Sequence, residues 1–88
     1  MKEKINIDYL GHNIKVTNTF KELFLIIDGE VRDSYKALIA FPFVLQGYIE
    51  QDGKQIEIRL DFQDSLLGGT LFLTANGQLL VKKRLMSR

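Results

Sequence analysis

The sequence predicts an all-β domain, an antiparallel β-sandwich or partly open barrel of seven to eight short strands joined by tight hairpins. Three observations carry this. Residues 43–62 read as one hairpin, with Ile56, Ile58, Leu60 and Phe62 alternating against Gln55, Glu57, Arg59 and Asp61 around Asp52-Gly53. Asx-Gly pairs recur at Asp28-Gly29, Asp52-Gly53 and Asn76-Gly77 with equal spacing, which fits repeated hairpins of similar length and admits a duplicated hairpin. Helical periodicity is almost absent.

Taken in order, residues 4–9 alternate, with Ile5, Ile7 and Tyr9 on one side, and predict a strand. Gly11-His12-Asn13 should turn the chain into a second strand, residues 14–17. Leu23, Phe24, Leu25, Ile26 and Ile27 form an unbroken apolar run, the pattern of a strand covered on both faces. Asp28-Gly29 then turns into residues 30–32, and residues 33–36 read as a loop. Residues 37–41 could open a helix that Pro42 would stop; a strand bent at Pro42, with the proline at an edge or bulge, is favoured.

In the central hairpin, placing Gln51 opposite Lys54 sets the register. Ile49 then faces Ile56, Gly47 faces Ile58, Leu45 faces Leu60 and Phe43 faces Phe62, while Gln46 meets Arg59 and Tyr48 meets Glu57. A slip by one residue would put apolar side chains on the wet face. Gly47, inside a strand, predicts close approach by another backbone or a ring. Residues 63–68 read as a loop, and residues 70–75 and 78–85 as a last hairpin about Asn76-Gly77. The expected core is Ile5, Ile7, Val16, Phe24, Ile26, Leu45, Ile49, Ile56, Ile58, Leu60, Phe62, Leu71, Leu73 and Leu80.

Residues 1–88 form a single domain, large enough to bury roughly 60–65% of its unfolded surface. A net charge of +1 provides no field to recruit nucleic acid or an anionic membrane. Without cysteine there is no disulfide, thiolate nucleophile or cysteine-ligated metal, and the composition suits a reducing compartment. The N-terminus lacks an apolar signal core and residues 37–48 are too short a run to cross a bilayer, so the cytoplasm is the expected location and no membrane partner is expected.

Chemistry is sparse. His12 is the one histidine; with no partner in sequence to make it a general base, it reads as a turn residue. Asp61 and Asp64 offer too few oxygens for a calcium loop, so no metal and no cofactor is expected. Lys82, Lys83 and Arg84 lack interleaved aromatics for stacking bases and read as the charged rim of an edge strand. The domain is therefore expected to have no catalytic residue and not to be an enzyme.

The apolar surplus says more. Large exposed apolar patches mark association sites. Leu23, Leu25, Ile27, Phe41, Pro42 and Val44 are the candidate interaction surface of a non-enzymatic protein-interaction module, binding a protein partner or, as a homodimer, itself. The alternative is a small-ligand or carbohydrate-binding sandwich, with Tyr35, Tyr48 and Asp64 brought together by loops.

The pattern His12-x-Ile14, Asp28-Gly29-Glu30, Phe43-x-Leu45-x-Gly47, Ile56-x-Ile58 and Gly69-x-Leu71-x-Leu73-x-x-Asn76-Gly77-Gln78-x-Leu80 resembles a domain of the Fas apoptotic inhibitory molecule family over most of the chain. The resemblance implies a compact antiparallel β-sandwich that works through protein contacts and has no catalytic site. The chain departs from the family in lacking tryptophan, in having one such module, and in a shorter connection between Gly47 and Ile56.

Overall fold

A computed structural model describes residues 2–19, 21–36, 43–65 and 68–86. Its eight strands are β1 (Lys2–Tyr9), β2 (His12–Asn18), β3 (Glu22–Ile27), β4 (Glu30–Lys36), β5 (Phe43–Gln51), β6 (Lys54–Ser65), β7 (Gly68–Ala75) and β8 (Gln78–Met86). They form two four-stranded antiparallel sheets, β1-β2-β3-β4 and β5-β6-β7-β8. The sheets pack as a sandwich and do not close into a barrel. The bend expected at Pro42, and the choice between strand and helical turn for residues 37–41, lie outside the described residues.

Four two-residue turns have left-handed geometry at both positions: Leu10-Gly11, Asp28-Gly29, Asp52-Gly53 and Asn76-Gly77. Their twist matches that of the strands they join. Three were expected. The first is displaced from Gly11-His12-Asn13, because Leu10 (φ +52°) takes the place usually held by Asn or Asp, so His12 and Asn13 become strand residues. Residues 33–36, expected as a loop, continue β4, where Tyr35 pairs with Leu23 and Lys36 with Glu22. The loop expected over 63–68 is also narrower, since β6 runs to Ser65 and pairs there with Gly68.

The central hairpin has the expected register throughout, from Gln51 opposite Lys54 to Phe43 opposite Phe62. Its inward residues meet those of the other sheet in a core that includes Ile5, Ile14, Val16, Leu25, Ile27, Leu45, Ile49, Ile58, Leu60, Phe62, Leu71, Leu73 and Ala75. Fully burying one such Leu or Ile contributes about 1.5–3 kcal/mol. Phe62 stacks on Phe43, and Phe43 on Tyr35, which joins the sheets. Gly69 makes room for the Phe62 ring, which a Cβ there would overlap.

Strand β3 corrects the expectation. Ile27 pairs with Ile14 and Leu25 with Val16, so Leu25 and Ile27 face the core. Phe24 and Ile26, expected inside, pair with Thr17 and Lys15 and lie half-buried on the outer face. Ile7, Ile56 and Leu80 pack at the core's margin.

The two sheets are copies of one plan. Leu23-Phe24-Leu25-x-x-Asp28-Gly29-Glu30 matches Leu71-Phe72-Leu73-x-x-Asn76-Gly77-Gln78. Each hairpin has an irregularity at the same place, between Leu25 and Ile26 in one and between Leu73 and Thr74 in the other. The caps also correspond. Asp28 donates its N–H to the Asn13 carbonyl and accepts the Asn13 N–H on Oδ1; Asn76 does the same with Glu57. The repeat is therefore a whole four-stranded meander, not the single hairpin that evenly spaced Asx-Gly pairs suggest.

Candidate functional site

The candidate surface residues do not share a face. Leu25 and Ile27 are fully buried and cannot meet a partner in the folded chain. Leu23 is half-buried and packs on the core. Val44, 41% exposed, lies on the outer face of the other sheet. Phe41 and Pro42 lie outside the described residues. A run of five apolar residues shows no alternation, so its inward parity is invisible without the strand pairing.

What β3 offers to the outside is Phe24 and Ile26. Ile26 pairs with Lys15 on one side and with Val31, 54% exposed, on the other. Phe24 lies between Thr17 and Ser34. Phe24, Ile26 and Val31 thus make a contiguous apolar patch bordered by Lys15 and Ser34. The repeat gives the comparison. The matching positions on the second sheet are Phe72, Thr74 and Leu79: a threonine replaces the isoleucine, and Lys82 Nζ sits 5.9 Å from the centre of the Phe72 ring. At these three matched positions the first sheet is the more apolar of the two. The signal for this patch was in the sequence, in the Leu-Phe-Leu match.

The second feature is the free edge of β5. At an edge strand, alternate residues point their N–H and C=O groups away from the sheet. In β5 three of these groups meet side chains of the first sheet. Asp33 Oδ2 accepts the Gln46 N–H at 2.9 Å. Arg32 Nη1 donates to the Tyr48 carbonyl at 3.3 Å. His12 Nε2 lies 3.3 Å from the Glu50 carbonyl. Gly47 allows this approach, as a Cβ there would sit 2.9 Å from Ile27 Cδ1 and 3.1 Å from Arg32 Cβ. The close approach at Gly47 is made by the Ile27 and Arg32 side chains, not by the backbone or ring expected there.

His12 is held from its other side too, with Nδ1 2.7 Å from Asp28 Oδ2. That hydrogen bond, with the Asp28 charge, raises the His12 pKa above its ordinary value; partial desolvation and Arg32 oppose the rise. The same bond, followed by the Asn13 N–H, lowers the Asp28 pKa. His12 is thus a structural link, with both ring nitrogens engaged.

Among the described residues no group of three or more His, Asp or Glu side chains could hold a metal ion. Asp61 is paired with Arg59 at 3.1 Å. The proposed sugar-binding residues are not brought together, since Tyr35 stacks on Phe43 at 4.2 Å inside the sandwich and Tyr48 stands on an outer face. Among the described residues no helix is long and apolar enough to cross a membrane. No family model matches the chain, and neither the curated proteins nor the solved structures contain a match.

Proposed function

We propose that this domain is a non-enzymatic protein-interaction module that self-associates through the outer face of its first sheet. The observation that carries the reading is the contiguous Phe24, Ile26 and Val31 patch, more apolar than the matching Phe72, Thr74 and Leu79 positions of the second sheet. Apolar patches of this kind gain free energy when a second surface covers them. The resemblance to the Fas apoptotic inhibitory molecule family points the same way, because that family works through protein contacts.

The test is Ile26→Thr, alone and with Val31→Thr, followed by sedimentation velocity over a concentration series. The second sheet already carries threonine at the position matching Ile26, so the fold accommodates it. Self-association should weaken by about tenfold or more for each side chain taken from the interface. A wild-type chain that stays monomeric at millimolar concentration sinks the proposal, as does a dimer unaffected by both substitutions while circular dichroism shows the fold intact.

A further inference from the structure

The hydrogen bonds of His12 constrain its protonation. Nε2 faces the Glu50 carbonyl, which can only accept. Nδ1 faces Asp28 Oδ2, while Oδ1 of the same carboxylate accepts the Asn13 N–H. An ionised Asp28 can only accept as well. Both ring nitrogens must then donate, and only the imidazolium does so. A neutral ring has one N–H. The shorter bond, to the charged carboxylate, is the stronger. Losing a proton therefore leaves the Nε2 lone pair facing the Glu50 carbonyl lone pairs.

We propose that His12 is a proton-dependent latch: as imidazolium it ties the β1–β2 and β3–β4 turns to the edge of β5, and on losing a proton it releases the Glu50 end of that edge. Asp33 on Gln46 and Arg32 on Tyr48 do not depend on the imidazole, so the rest of the edge stays sealed. Several groups surround the ring. Asp28 comes from the β3–β4 turn and Arg32 from β4, with its Nε 3.3 Å from Glu30 Oε1. Tyr9 faces it across the β1–β2 pair, and β5 contributes the Glu50 carbonyl. Arg32 opposes protonation of His12, and Asp28 outweighs it.

A histidine pKa raised in the folded state contributes stability that is complete below the unfolded value of about 6.5 and is lost as pH rises through the folded value. The lowered Asp28 pKa contributes stability present above the ordinary carboxylate value of 3.8, lost as pH falls through the folded value. The latch is at full strength between the two.

The experiment is an NMR titration of the full isotope-labelled chain from about pH 5 to about pH 9. Ring nitrogen shifts report protonation at each nitrogen, and the Glu50 carbonyl carbon reports the latch. The expected result is a doubly protonated ring at low pH, a midpoint above 6.5, and a Glu50 carbonyl shift that follows the same midpoint while the Gln46 amide does not. A midpoint at or below the ordinary value, or a Glu50 carbonyl that does not respond, overturns the proposal. Asp28→Asn keeps a residue that already caps the matching turn at Asn76, and should lower the His12 midpoint; an unchanged midpoint counts against the latch. His12→Gln should abolish the fall in stability as pH rises above the ordinary histidine value of 6.5, and persistence of that fall in the variant refutes it.

Discussion

The two sheets repeat one plan, yet each treats the edge strand beside the other differently. β4 and β5 meet at one corner of the sandwich, and β8 and β1 are the strands that match them in the repeat. At that corner, Asp33 and Arg32 of β4 reach the β5 backbone over Gly47. In the repeat, Val81 and Leu80 stand where Asp33 and Arg32 do, and Ile7 stands where Gly47 does. Val81, Leu80 and Ile7 all pack on the core. Among the described residues no β8 side chain makes a hydrogen bond to β1. The β4–β5 corner is sealed by polar side chains over a glycine, whereas the matching side chains of β8 and β1 are hydrocarbon turned to the core. The same backbone plan therefore leaves the manner of edge protection to a few side chains.

Exchanging residues between matching positions tests this contrast. The largest effect should come from Gly47→Ile, which puts the bulk of Ile7 where the sealed corner has none. Its Cβ alone would crowd Ile27 and Arg32, and the branched remainder more so. Overpacking at such a site costs about 3 kcal/mol, visible as a lower urea midpoint. The Gln46 amide should lose protection from hydrogen exchange as Asp33 is pushed off it. A variant with unchanged stability would mean that β4 and β5 can separate without loss, and the seal would have no energetic content.

Asp33→Val comes next. It brings the Val81 residue type to a place where a carboxylate accepts the Gln46 N–H. Asp33 is only half-buried, so water can partly replace it, and the cost should be about 1 kcal/mol. Thermal unfolding would read it, together with a specific shift of the Gln46 amide. If Asp33→Val stabilises the chain instead, hydrocarbon padding is the better protection, and the polar corner is kept for another reason.

How much of this the sequence could reveal depended on alternation. The β5–β6 hairpin was legible to the residue because polar and apolar side chains alternate along both arms, and a slip would have exposed a whole apolar row. β3 has no polar member after Glu22, so nothing in its sequence separates the inward Leu25 and Ile27 from the outward Phe24 and Ile26. The edge seal was illegible for a different reason. Asp33, Arg32 and His12 are far in sequence from the Gln46, Tyr48 and Glu50 backbone groups they serve, and no local pattern marks a side chain that bonds a distant main chain. The repeat lay in plain view as Leu-Phe-Leu before each Asx-Gly, masked by a third Asx-Gly midway between.

The smallest effect tests the turns that the two halves share. Asp28, Asp52 and Asn76 each hold the first turn position with φ near +50°; Leu10 does so with φ +52° and none of their advantages. A leucine side chain crowds its own backbone there, whereas asparagine tolerates the geometry. Leu10 is also 47% exposed, so replacing it gives up little buried surface. Leu10→Asn should stabilise the domain by about 0.5–1 kcal/mol. Asparagine is preferable to the aspartate of the matching turn because Asp8 and Asp28 already lie close to this end of the sheet. A higher unfolding midpoint with an unchanged His12 titration would place the gain in the turn itself. A loss would mean that Leu10 makes a contact worth more than its strain, and the two β-hairpin turns would differ by design.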